Sequence, residues 1–205
     1  MNIKTYLTGP LQVNTYLAFD DTKKAFIVDP GGYSPAISAD IVDLGLSLDY
    51  IILTHGHGDH IGGVESFKRE FPNAKILAYQ DERELLSNGE INASLDIFGQ
   101  AIELDADVYV KDGDQLLVGQ TPLTFLHTPG HTKGGMCIFG DGCLFSGDTL
   151  FCASIGRTDF YGGSFEQIAK SIKEKLYVLP DDTRVLPGHM QETTIGFEKG
   201  NNPFV

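Results

Sequence analysis

A chain of 205 residues with 41% hydrophobic and 21% charged residues is long enough to close one sizeable core, and no apolar run in it is long enough to span a bilayer. Its 28 acidic against 15 basic residues leave a net charge of -13, which repels phosphate backbones and anionic lipid headgroups and argues against nucleic acid or a membrane as partner. Cys137, Cys143 and Cys152 are odd in number and lack C-x-x-C spacing, which argues against a disulfide framework or a thiolate metal site and reads as reduced core thiols.

No Pro/Ser-rich linker interrupts the chain, so one domain over residues 1–205 is expected. The opening residues hold no apolar stretch of a secretory signal, so a cytoplasmic location is expected. Ile3 to Leu7, Val13 to Phe19 and Ala25 to Asp29 read as strands. After the turn at Pro30-Gly31-Gly32, the spacing of Ile37, Ile41, Leu44 and Leu48 predicts an amphipathic helix over Pro35 to Leu46. Tyr50 to Leu53 reads as a buried strand, Ile61 to Phe71 as a helix ended by Pro72, and Lys75 to Tyr79 as another buried strand. Glu82 to Gly89 is expected as a short helix, and Asn92 to Asp105 carries no clear pattern. Strands are then expected at Val108 to Val110, Gln115 to Val118, Leu123 to Thr128, Met136 to Phe139 and Cys143 to Ser146, divided by Asp-Gly and Gly-Gly turns. Phe165 to Tyr177 reads as a helix with Phe165, Ile168, Ile172 and Leu176 on one face, capped at Ser164, and Arg184 to Leu186 as a last strand. Two sets of strands with helices between them suit two sheets packed face to face with helices outside, an α/β fold of four layers.

The segment Thr54-His55-Gly56-His57-Gly58-Asp59-His60 puts three imidazoles and a carboxylate directly behind a strand. A helix does not aim side chains one and two positions apart at one point, whereas a glycine-interrupted loop can. Gly56 and Gly58 are expected to supply unusual backbone angles there. Later strand-like runs end at His131 in Thr128-Pro129-Gly130-His131, at Asp148 in Ser146-Gly147-Asp148 and at His189 in Pro187-Gly188-His189. Loops at strand ends carry function because a rigid sheet positions them. Seven such groups exceed one tetrahedral ion, and two ions use them all. His55, His57 and His131 can hold one, Asp59, His60 and His189 the other, and Asp148 can bridge. Two ions about 3.5 to 4 Å apart share a hydroxide at neutral pH, and mixed imidazole and carboxylate ligands suit zinc, iron or manganese.

The motif H-x-H-x-D-H followed by His, Asp and His resembles the metallo-β-lactamase fold superfamily along the whole chain. The resemblance implies an αββα sandwich with a dinuclear site at one edge of the two sheets. It also implies that Asp29, in Val28-Asp29-Pro30-Gly31, orients a ligand imidazole, against the alternative of a turn cap. Most secreted zinc β-lactamases place Cys where this chain has Asp148, flavodiiron proteins place Glu at His57, and transfer-RNA-processing branches usually carry basic arms or an added domain.

Gly147 to Phe160 and Glu192 to Phe204 resemble the glyoxalase II-like group. In that group a basic residue at the place of Arg157 helps to hold glutathione, so Arg157 is expected as an anion clamp, against an ion pair with Asp159. Tyr161 is expected to line the pocket, against an exposed loop aromatic. No C-terminal glyoxalase II helical domain is expected, as in the short bacterial hydrolases of the group. The expected activity is hydrolysis of a small-molecule acyl thioester, S-lactoylglutathione or a relative. Two divalent ions, zinc first and iron or manganese next, supply a bridging hydroxide that Asp59 holds and orients. The rivals are a mononuclear iron persulfide dioxygenase, a lactonase or other ester hydrolase, and a non-catalytic scaffold. His127 and the three thiols are expected to be structural.

Overall fold

The structure, a computed structural model, describes all residues from Met1 to Val205. Strands β1 (Asn2–Thr8), β2 (Val13–Phe19) and β3 (Lys24–Val28) form an antiparallel meander. Helix α1 (Pro35–Asp43) then crosses to β4 (Ser47–Ile52), which runs parallel to β3. Helices α2 (Gly58–Ile61) and α3 (Val64–Glu70) lead to β5 (Lys75–Tyr79), and α4 (Arg83–Leu86) and α5 (Ser94–Phe98) lead to β6 (Val108–Val110). These six strands make one sheet in the order β1-β2-β3-β4-β5-β6.

The second half begins with β7 (Gln115–Val118), β8 (Thr121–His127), β9 (Met136–Gly140) and β10 (Cys143–Gly147), followed by a small hairpin of β11 (Leu150–Phe151) and β12 (Ser154–Ile155). Helix α6 (Phe165–Ser171) runs on through a π-helical turn, Ile172–Leu176, to β13 (Arg184–Pro187), β14 (Thr193–Thr194) and α7 (Ile195–Asn201). The second sheet has the order β14-β13-β10-β9-β8-β7.

Period-two alternation decides the layering, because successive strand residues face opposite sides of a sheet. Tyr16, Phe26, Ile52 and Leu77 of the first sheet meet Leu123, Phe125, Ile138 and Phe145 of the second. Their strand neighbours Leu17, Ile27 and Ile51 face the other way and pack on Ile37 and Ile41 of α1 and Phe67 of α3. Leu144 and Val185 likewise face outward onto Ile168, Ile172, Leu176 and Ile195. Each sheet is apolar on both faces, so each must be covered twice, and the result is the expected αββα sandwich. Each side chain buried completely in these layers contributes about 1.5 to 3 kcal/mol. No helix is long and apolar enough to cross a membrane.

The element boundaries differ from expectation where backbone contacts intervene. Helix α1 stops at Asp43, because the chain reverses at Gly45 and the Leu46 N–H turns back to the Ile41 carbonyl at 2.8 Å, so Leu48 is buried from β4 rather than from the helix. The helix expected over Ile61 to Phe71 is broken at Gly62-Gly63, where the backbone packs so closely on Gly31 and Gly32 that a Cβ would collide. The short helix expected from Glu82 begins earlier, as a 3-10 turn at Gln80–Glu82, and ends at Leu86. The unpatterned stretch holds α5, entered through Ala93 at φ +62° and left through Gly99 at φ +71°. Phe165 has the right helical angle but is 52% exposed, since angle alone does not bury a side chain on the first residue of a helix.

Candidate metal centre

The strands β4, β8, β10 and β13 deliver the seven candidate ligands from their C-terminal ends. The two sheets are tied together there, by Met136 N–H to the Thr54 carbonyl at 2.9 Å and Asn14 N–H to the Gly188 carbonyl at 2.8 Å. Behind β4 the cluster is split between two backbone forms. His55 and His57 lie on a stretch outside regular secondary structure, extended at His57, and Asp59 and His60 on the single turn of α2. Gly56 and Gly58 do not take left-handed angles, contrary to expectation. They supply room instead, because a Cβ on Gly58 would strike the Ser94 backbone and one on Gly56 would press on Leu86.

Two trios of ligand atoms result, each within 4.8 Å of one another: His55, His57 and His131, and Asp59, His60 and His189. His57 Nδ1 lies 2.9 Å from His131 Nε2. Asp148 reaches both trios, with Oδ2 at 3.6 Å from His131 Nε2 and Oδ1 at 3.3 Å from His60 Nε2. His189 Nε2 stands 3.3 Å from Asp59 Oδ2 and, at 27% accessibility, leaves this side of the cluster open.

Hydrogen bonds at the far nitrogens fix the tautomers. His131 donates from Nδ1 to the Arg157 carbonyl at 2.7 Å, and His60 donates from Nδ1 to Asp29 Oδ2 at 3.0 Å. Asp29 also accepts from the Thr54 N–H at 2.7 Å and the Thr54 hydroxyl at 2.6 Å, which leaves the Thr54 oxygen to accept from His55 Nδ1 at 3.1 Å. Asp29 thus orients His60 directly and His55 through Thr54. A third grouping of Asp29, His55 and His60 is also close, but the Asp29 oxygens are already committed to these donors.

Four buried polar atoms remain without a hydrogen-bond partner: Nε2 of His55, His57 and His60, and Oδ1 of Asp148. A native core leaves few such groups, and their concentration among convergent imidazoles and carboxylates fits a cation. The electrostatics agree. Burial, reinforced by the neighbouring imidazoles, lowers His55 well below its ordinary value and His57 to about 3, and burial lowers His131 as well. Neutral imidazoles are the form that ligates metal. Burial opposes ionisation of Asp148 and Asp59, yet the surrounding histidines outweigh it and hold both carboxyls below the usual range. Burial also opposes a charge on His60, but Asp148 and Asp59 raise it above the ordinary imidazole value.

The loop after β12 covers one side of the cluster. Phe160 stands edge-on to His57 with ring centroids 5.2 Å apart, and the Arg157 guanidinium lies over its ring at 4.2 Å. Arg157 forms a two-pronged ion pair with Asp159, at 3.0 and 2.7 Å. The Tyr161 hydroxyl donates to Glu84 at 2.7 Å and accepts from Lys133 at 3.1 Å, which anchors the loop to α4. His127 is remote from the ligands, stacked on Tyr79 at 4.1 Å with Nε2 on the Lys133 carbonyl. Cys137 and Cys143 are buried free thiols, whereas Cys152 is only half-buried, beside Gln191. Three contributors were not singled out in the sequence. Phe160 is one of 13 phenylalanines, and Glu82 lies in a short polar stretch. Asn14 is a polar residue buried in β2, where it holds the carbonyls of Pro187 and Met190 on either side of His189, and its low strand propensity is the one available signal.

Two layered sheets, a His/Asp cluster at their shared edge and imidazoles held in place by hydrogen bonds define a metal-dependent enzyme of the αββα class. The family model for the metallo-β-lactamase superfamily matches residues 8–189. The chain is 36% identical over 211 residues to the hydroxyacylglutathione hydrolase GloC of Haemophilus influenzae, covering 100% of this chain and 98% of that protein. Among solved structures it is similar to the BLEG-1 B3 metallo-β-lactamase, with 37% identity, a TM-score of 0.92 and 99% of each chain covered. It is also similar to TTHA1623, solved in a di-iron-bound form, with 32% identity, a TM-score of 0.85, and 98% of this chain and 100% of that one covered. The chain belongs to the metallo-β-lactamase superfamily, and its class is that of the metal-dependent hydrolases.

Proposed function

We propose that the chain hydrolyses small acyl thioesters, S-lactoylglutathione or a relative among them. In this reading His55, His57 and His131 hold one divalent ion, Asp59, His60 and His189 a second, and Asp148 contributes to both. The observation that carries it is the set of orphaned buried atoms on His55, His57, His60 and Asp148, all within one cluster. The 36% identity to a hydroxyacylglutathione hydrolase supports the thioester, and the likeness to a di-iron protein supports two ions with iron as an alternative to zinc.

When bound, such ions supply Lewis acidity and a water acidified to a pKa of about 7. The protein's own groups do the rest. Asp59, kept ionised by His60 and His189, orients the attacking water and holds its proton. Asp29 and Thr54 keep two imidazoles from rotating, and Phe160 forms an apolar wall beside His57 that excludes bulk water. Arg157 meets an anionic group of the substrate by exchange with the exposed Asp159, while Tyr161 keeps the loop in place. A thiolate leaves without a strong general acid, so this set of groups suffices.

The likeness to BLEG-1 favours a second reading, β-lactam hydrolysis. Metal analysis combined with thiol release from glutathione and coenzyme A thioesters, run beside a β-lactam, a lactone and glutathione persulfide, decides between them. Thioester cleavage that is lost in Asp59→Ala with the fold intact is the expected result. Lactam or lactone turnover alone, iron-dependent oxygen uptake on the persulfide alone, or thioester turnover unchanged in Asp59→Ala overturns it.

A further inference from the structure

We propose that Glu82 is a positioning residue for one of the two ions: its buried carboxyl clamps the loop carrying His55 and His57 to the loop carrying His131. This rests on the reading that those three imidazoles hold an ion together. Glu82 closes the 3-10 turn behind β5 and is 1% exposed. It has no cationic partner. Its Oε1 accepts instead from the Thr132 hydroxyl, and the backbone N–H groups of Gly56 and Gly134 approach the carboxyl in looser contacts that favour its charge. Gly56 lies between His55 and His57, and Thr132 directly follows His131, so one side chain touches both candidate ligand loops at positions next to the imidazoles.

The packing confirms how closely the three segments meet. A Cβ on Gly134 would collide with the backbone of Asp81 and Glu82, and one on Gly56 would press on Leu86, four residues beyond Glu82. The stretch from Asp81 to Leu86 is thus wedged between the loops whose imidazoles approach to 2.9 Å at His57 Nδ1 and His131 Nε2. An ionised carboxylate only accepts, with about four lone-pair sites, and three donors from two loops match it. The arrangement is costly, since burial pushes the Glu82 carboxyl up to about 7 against the pull of its donors. An apolar side chain filling the same space would avoid that cost and leave the loops unjoined. Asp29 has the corresponding place on the other side, where it holds His60. The centre therefore has two carboxylate clamps: Glu82 serves the first trio alone, while Asp29 serves the second and also reaches His55 through Thr54.

The test is a metal titration of the full chain stripped with a chelator, using Co(II) against a chromophoric competitor, so that two binding steps are read without any activity assay. His131→Ala and His189→Ala assign the steps to the two trios. Glu82→Ala is expected to weaken the step that His131→Ala weakens by about 10- to 100-fold, the range typical for loss of an outer partner of metal ligands, and to leave the other step unchanged. Glu82→Met, which keeps bulk and offers no oxygen, is expected to do the same. Glu82→Gln can accept both glycine N–H groups on its oxygen and donate to the Thr132 hydroxyl, and is expected to restore the step to within a few-fold. Asp29→Ala is expected to weaken the other step and, through Thr54 and His55, the first as well, so selectivity for one step is the mark of Glu82. Equal weakening of both steps, or an unchanged isotherm, in a Glu82 variant with wild-type circular dichroism overturns the proposal. If the Ala and Met variants do not fold, Glu82→Asp decides: its carboxylate is too short to reach both loops, and an unchanged isotherm overturns the clamp. A wild-type isotherm that His131→Ala leaves intact overturns the ligand reading instead.

Discussion

Replacing Glu82 by Gln should change how stability depends on pH, in a direction the structure fixes. The ordinary value of the carboxyl is 4.5, and burial, with the repulsion of Asp81 added, pushes it up to about 7 against its three donors. Below 4.5 the folded and unfolded chains both keep the proton, and the residue contributes no difference. Between 4.5 and about 7 the unfolded chain releases the proton while the folded chain retains it, so stability falls as pH rises. Above that range both forms are ionised and the loss is complete. A displacement of this size corresponds to about 3 kcal/mol, at about 1.4 kcal/mol per pKa unit. Gln is isosteric and does not titrate, so Glu82→Gln lacks this slope. Urea unfolding of both chains in the presence of chelator, at intervals from pH 4 to pH 8, measures it as the difference between two profiles. Taking the difference cancels the titration of the buried histidines, which is common to both. The mutant should gain about 3 kcal/mol relative to the wild type across the range, or roughly 6 to 12 °C in midpoint for a chain of this length. Parallel profiles would refute the reasoning, and would mean that the donors from Gly56, Thr132 and Gly134 stabilise the ionised form enough to offset burial.

Two further outcomes follow from other parts of the fold. Phe145→Ala removes a fully buried ring that meets Tyr16 at 5.4 Å and Phe26 at 5.8 Å between the sheets, and should cost about 3 to 5 kcal/mol in urea unfolding; a loss below about 1 kcal/mol would mean the layer collapses into the space. Arg157 exchanges an exposed ion pair for substrate contact in the proposed reading, so Arg157→Ala should raise KM for a glutathione thioester about tenfold, more at low salt, with stability altered by less than about 1 kcal/mol; an unaffected KM makes the residue structural.

What the sequence made legible, and what it did not, follows from the range of the interactions. The two sets of strands were readable because short apolar runs bounded by turn residues are local, whereas the face each residue takes was not: Tyr16 and Leu17, or Leu144 and Phe145, are apolar neighbours that enter opposite layers. The candidate ligands stood out for a related reason, since imidazoles behind strands are scarce and their spacing is chemical. The glycines between them were seen but misread. Gly56 and Gly58 answer to Leu86 and Ser94, some thirty residues away, and no local angle preference reports that contact. The helix break at Gly62-Gly63 has the same origin, in a backbone approach from Gly31 and Gly32.

The two carboxylate clamps make the contrast sharpest. Asp29 stands at the end of β3, beside the strand that precedes the candidate ligand motif, and the family resemblance pointed to it where its strand-end context alone favoured a turn cap. Glu82 does comparable work from an irregular segment, and its hydroxyl partner Thr132 lies 50 residues further along the chain. In sequence it is one acidic residue among 28. Only its burial and its lack of a cation separate it from the solvated rest. Both are properties of the folded chain. A ligand is recognised by what it is, whereas the residue that holds a ligand in place is recognised by what surrounds it. A supporting group such as Glu82 therefore emerges from the structure, even where the candidate ligands stand out in the sequence.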